Sequence, residues 1–129
     1  MNTNSYIVIT NNPLVKERLG ETHNVEYIDV SYEELLKVVR DRIHEGHELL
    51  SHPLSGSVKP KETPYKSVMV SEAAGKMDMR SLNLIEHALQ TCEKFVDRTG
   101  DYKPEVYKDF QLIDCSLLES GLPSADFWR

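Results

Sequence analysis

The chain has 129 residues, enough for one ordinary domain with a real core and no need of disulfides or a structural metal. Hydrophobic residues make up 40% and charged residues 28%, a globular mixture rather than a disordered one. A net charge of −6 and a pI of about 5.3 argue against nucleic acid or an anionic membrane as main partner, because both attract surplus Lys and Arg.

The opening MNTNSYIVIT lacks a basic n-region and its apolar run is too short for a signal peptide. No stretch approaches the ~20 apolar residues of a membrane span. Tyr6 to Ile9 predicts a buried strand. Asn12 and Pro13 have the chemistry of an N-cap and a first helical position, and a short helix is expected as far as about Gly20. Val25, Tyr27, Ile28 and Val30 predict a second strand. Ser31 and Glu34 form a capping box ahead of Tyr32, Leu35, Leu36, Val39 and Ile43, spaced as one helical face and stopped by Gly46. His47 to His52 reads as a third strand and Ser67 to Val70 as a fourth.

Ser81 is expected to cap a third helix, with Ile85, Ala88, Leu89, Cys92, Phe95 and Val96 on one face and Gly100 at its end. Pro104 opens a fourth, with Val106, Phe110, Ile113 and Leu117 aligned, although Phe110 to Asp114 would also suit a strand. The Phe127-Trp128 pair is expected to dock against the body or a partner. The order β-α-β-α-β-loop-β-α-α implies one α/β domain over residues 1–129. Its expected form is a mostly parallel four-stranded sheet flanked by about four helices in Rossmann-like layers.

In open α/β sheets ligands gather beyond the carboxyl ends of the strands. Three segments fall there: Thr10 to Pro13, Asp29 to Ser31, and the long connection His52 to Lys66. That connection holds three of the six prolines, and between Pro53 and Ser67 it carries Lys59, Lys61 and Lys66 against Glu62. The local charge is +2 within a chain of −6, so the remainder carries −8. A positive island in an acidic protein suits an anionic ligand. Ser55-Gly56-Ser57 adds hydroxyl donors around a turn whose amides can form an anion nest. The candidate ligand-binding set is Asn11, Asn12, His52, Ser55, Gly56, Ser57, Lys59, Thr63, Tyr65 and Lys66. The same stretch also suits a docking surface or a plain connector, and neither GxxxxGK[ST] nor GxGxxG is present.

His44, His47 and His52 do not make a metal set. Gly46 separates the first two, and His47 and His52 lie about 17 Å apart along a strand at ~3.3 Å per residue. His52 meets the loop, where it suits a hydrogen bond to loop backbone or, less simply, acid–base work with Lys59 or Lys66. Cys92 belongs to an apolar face and Cys115 is expected to be partly exposed. With no CxxC pair they signal neither a redox site nor zinc, and lone thiols suit a reducing cytoplasm. Glu33, Glu34, Asp41, Glu45 and Glu48 look like solvated helix faces. No cofactor is indicated.

The segments IVITNNPLV, SYEELLKVVR, SHPLSGSVKPKETPYKS and DFQLID resemble the GrdX family over nearly the whole chain, the second-last being the most specific. The resemblance implies a cytoplasmic accessory role beside the glycine, sarcosine and betaine reductases of amino-acid-fermenting anaerobes, with a reductase component as a partner. It implies no catalytic residues. It adds acetyl phosphate to the amino-acid carboxylates and nucleotides that already suit an anion-binding reading of the loop. The chain's own lack of a redox-active CxxC excludes it as the thiol-bearing component.

Overall fold

The computed structural model describes residues 6–54 and 60–127, with side chains described as far as Leu122. Its elements are β1 (Tyr6–Thr10), α1 (Pro13–Leu19), β2 (Val25–Tyr27), α2 (Tyr32–His44), β3 (His47–Leu49), β4 (Ser67–Ala74), α3 (Met79–Cys92) and α4 (Pro104–Phe127), with a 3-10 turn at Thr99–Asp101.

The strands form one sheet in the order β2-β1-β4-β3. β1 pairs parallel with β2, while β4 lies antiparallel to both β1 and β3. Three strands therefore run one way, as an α/β chain requires, and β4 is reversed between two of them. The sheet is mixed rather than mostly parallel. The reason lies in the 50–66 connection: a parallel return needs a crossover, usually a helix, and no helix forms in its described residues.

The central strands are buried on both faces, hence their continuous apolar runs. Ile7 and Ile9 of β1 and Val68 and Val70 of β4 pack with α2 and α3. Tyr6, Val8 and Met69, alternating with them, pack with α1 and α4. The result is a helix–sheet–helix sandwich. Each fully buried Val or Ile stabilises it by roughly 1.5–3 kcal/mol.

The local signals fix the helix starts. Asn12 caps α1 by accepting from the Leu14 amide at 3.0 Å, with Pro13 next in line. Ser31 Oγ accepts from the Glu34 amide at 3.2 Å, as a capping box requires, but the Glu34 carboxylate pairs with Lys37 instead of returning to the cap. Gly46 has φ +107°, and a Cβ there would stand 2.1 Å from the Gly75 carbonyl oxygen. The turn into β3 therefore accepts only glycine.

Three expectations are corrected. Asp78 rather than Ser81 caps α3, accepting the Ser81 amide, while Ser81 Oγ takes the Leu49 amide of edge strand β3. The helix stops at Cys92, well before Gly100, leaving Val96 73% exposed. Residues 110–114 are helical, and α4 buries Asp114, Cys115, Leu118 and Leu122 instead of Ile113 and Leu117. The Phe127-Trp128 expectation concerns side chains outside the described residues.

Candidate functional site

Because β4 opposes its neighbours, its amino end meets the carboxyl ends of β1, β2 and β3 at one edge of the sheet. The segments at Thr10–Asn12, Ile28–Ser31, Leu50–His52 and Tyr65–Ser67 converge there. α4 closes the edge from one side.

Asn11, 3% exposed, is a three-way tie. Its Nδ2 donates to the carbonyls of Val30 at 2.9 Å and Pro64 at 2.8 Å, and its Oδ1 accepts the Lys66 amide at 2.8 Å. All of its amide chemistry is spent on holding the loop. Asn12 is fully buried. With Oδ1 committed to the α1 cap, its Nδ2 donates to the Gln111 carbonyl at 2.9 Å and to Asp114 Oδ2 at 3.0 Å, tying β1 to α4.

A hydroxyl chain completes the network. Ser67 Oγ donates to Asp114 Oδ2 at 2.7 Å, so the Thr10 hydroxyl must donate to Ser67 Oγ at 2.7 Å. Thr10 Oγ1 in turn accepts the Asn12 amide. Each hydroxyl has one hydrogen, so an ionised Asp114 sets the direction of the chain.

Lys66 is 6% exposed and Asp114 7%. Burial pushes the Asp114 carboxyl above its ordinary pKa, opposed by the Asn12 and Ser67 hydrogen bonds and by the Lys66 charge. Burial likewise pushes Lys66 below its ordinary value, opposed by Asp114. Both groups are driven toward their neutral forms and restrained by each other. Beside them lies a pocket of about 90 Å³, whose polar side is Ser51, Lys66, Ser67 and Asp114. Its other side is apolar, formed by Met69, Leu117 and Leu118.

The rest of the connection is pinned from several directions. Lys61 Nζ pairs with Glu33 at 3.0 Å, and the Lys61 carbonyl accepts from the Arg98 amide. Tyr102 donates to the Glu62 carbonyl, and Gln111 donates to the Tyr65 hydroxyl at 2.9 Å. Buried Thr63 turns the chain by accepting the Tyr65 amide. Much of the local positive charge is thus answered internally, by Glu33 at Lys61 and by Asp114 at Lys66. His52 is exposed and its Nδ1 accepts the Leu54 amide at 3.1 Å. Ser55, Gly56, Ser57 and Lys59 lie outside the described residues.

The edge brings Asn11, Asn12, Thr63, Tyr65 and Lys66 together and adds Thr10, Ser51, Ser67 and Asp114, which lie outside the candidate set read from the sequence. Thr10, Ser67 and Asp114 meet partners 47 to 102 residues away and Ser51 meets the Met69 amide 18 residues on, so no local spacing marks them. Cys115, expected to be partly exposed, is fully buried among α1 and β4 side chains because it belongs to the inward stripe of α4. Burial raises both thiols, Cys92 to about 11, so neither is a ready nucleophile. Among the described residues no group of three or more His, Cys, Asp or Glu could hold a metal ion. No helix among them is long and apolar enough to cross a membrane.

The family model described as GrdX-like protein matches residues 7–123. No curated protein and no solved structure matches the chain.

Proposed function

The chain belongs to the GrdX-like protein family, and on that premise we propose that it is an accessory protein of a glycine-, sarcosine- or betaine-reductase system that binds a small anionic metabolite at the strand-end edge. The observation that carries this is a buried lysine, Lys66, lining a pocket of about 90 Å³ beside Asp114 and two serine hydroxyls. A buried ammonium costs several kcal/mol of desolvation unless it is answered. Asp114 answers part of that cost, and an ammonium that also lines a cavity favours a ligand with negative charge.

The test is thermal unfolding of the purified protein against acetate, glycine, sarcosine, betaine, phosphate, acetyl phosphate and nucleotides. A ligand at 100 times its dissociation constant stabilises the fold by about 2.7 kcal/mol. A rise of several degrees that disappears in Lys66→Met is the expected result. No rise from any of them would overturn the proposal.

A protein partner is the second reading, favoured by Leu112, Ile113 and Leu117, which stand 51%, 41% and 44% exposed on α4. Near-stoichiometric co-purification with a reductase component, lost on Ile113→Glu, is its expected result. Clean isolation without one would contradict it.

A further inference from the structure

The pocket is already charge-balanced before any ligand enters. With Lys66 as the ammonium and Asp114 as the carboxylate, one positive charge meets one negative charge, and both side chains are more than nine-tenths buried. An entering anion would leave two negative groups facing one positive group in a confined space. Two carboxylates sharing a site do not both stay ionised; one pKa rises strongly.

Asp114 is placed to take that proton. Its Oδ2 is occupied by donors from Ser67 and Asn12. A proton on the other oxygen would turn an acceptor into an O–H donor facing a ligand carboxylate, a charge-assisted hydrogen bond. Lys66 has three N–H donors and can give one to the ligand in addition to its bonds within the protein.

Resting on the binding site proposed above, we propose that the pocket takes a short-chain monocarboxylate together with one proton, the ligand carboxylate on Lys66 and the proton on Asp114. The proton comes from solvent, so one is taken up for each ligand bound. A cavity of about 90 Å³ holds roughly three waters at about 30 Å³ each, which fits a carboxylate and a few carbons. Met69, Leu117 and Leu118 give those carbons an apolar wall. Dianionic phosphate would need a second proton or a second cation.

Among the described residues, the ionisable groups whose fields reach Asp114 are Lys66 just before β4, Tyr32 from α2 and Cys115 from α4 itself. Tyr32 and Cys115 are both raised by burial and stay neutral through the acid-to-neutral range. Burial also raises Asp114, which lowers the cost of its proton.

Isothermal calorimetry with acetate and propionate tests this, each titrated in two buffers of different ionisation enthalpy from about pH 8 to about pH 6. One proton should be taken up, and affinity should gain about tenfold for each pH unit lowered while free Asp114 is ionised. Asp114→Asn, an uncharged mimic of the protonated acid, should bind acetate with no pH dependence and no proton uptake. Phosphate should bind at least about tenfold more weakly than acetate, a difference of about 1.4 kcal/mol.

Equal affinity at both ends of the pH range, or preference for phosphate or zwitterionic glycine, would overturn proton-coupled carboxylate binding while leaving the anion site standing. Absence of binding by acetate, propionate, phosphate and glycine alike would overturn both. If Asp114→Asn did not fold, the buffer dependence of the wild-type heat would decide by itself.

Discussion

Replacing Asn12 with alanine measures how strongly the edge network holds α4 to the sheet. Three bonds disappear together. Loss of the α1 cap to Leu14 costs about 1 kcal/mol. Loss of the bond to the Gln111 carbonyl costs roughly 0.5–1.5 kcal/mol, and loss of the donor to the buried Asp114 carboxylate roughly 1.5–3 kcal/mol. The sum is about 3–5 kcal/mol, a large share of the roughly 5–15 kcal/mol that holds a typical domain. Urea unfolding followed by circular dichroism should show the midpoint falling with little change in slope. Asn12→Asp is a sharp companion. It keeps the cap acceptor, and by capping rank alone it would be harmless. In this structure it sets a second carboxylate against Asp114, so at neutral pH it should be at least as damaging as alanine. A loss near 1 kcal/mol for Asn12→Ala, or a neutral Asn12→Asp, would refute the role given to the Asn12–Asp114 contact.

Further outcomes follow from the same geometry. Asn11→Ala should cost about 3 kcal/mol, because three carbonyl or amide partners lose their bonds at once, and hydrogen exchange at the Lys66 amide should accelerate. Gly46→Ala should cost at least about 2 kcal/mol from left-handed strain and the clash with Gly75, measured as a fall in the unfolding midpoint. Burial raises the Asp114 pKa in the folded state, so its contribution to stability is full below the ordinary carboxylate value and is lost as pH rises through the raised native value. Wild type should therefore lose stability relative to non-titrating Asp114→Asn between acid and neutral pH. A pH-independent difference in urea midpoints would contradict that sign.

Much of the fold is legible because its signals are local. Asn12-Pro13 and Ser31-x-x-Glu34 are read from neighbouring residues, and the α2 stripe from Tyr32 to Ile43 has a single apolar face. α4 is harder because two stripes compete. Val106, Phe110, Ile113 and Leu117 have perfect helical spacing, yet the stripe that faces the sheet contains Asp114 and Cys115. Asp114 is inward because Asn12 and Ser67 are there to meet it, and those partners are fixed only by the tertiary fold. The same holds for β4, whose direction depends on the path of the 50–66 connection and not on the composition of the strand. For the candidate site, the sequence points to the strand-end edge and names Lys66, which the fold places beside the edge pocket. It gives no sign that Glu33 and Asp114 answer the charge of Lys61 and Lys66.

The most direct test of the edge pocket is an amide-correlation NMR titration of the isotope-labelled protein with acetate. Saturable shifts centred on Ser51, Lys66, Ser67 and Leu118, absent in Lys66→Met, are predicted. Shifts centred elsewhere, or none at saturating acetate, would contradict the assignment of this pocket as the binding site.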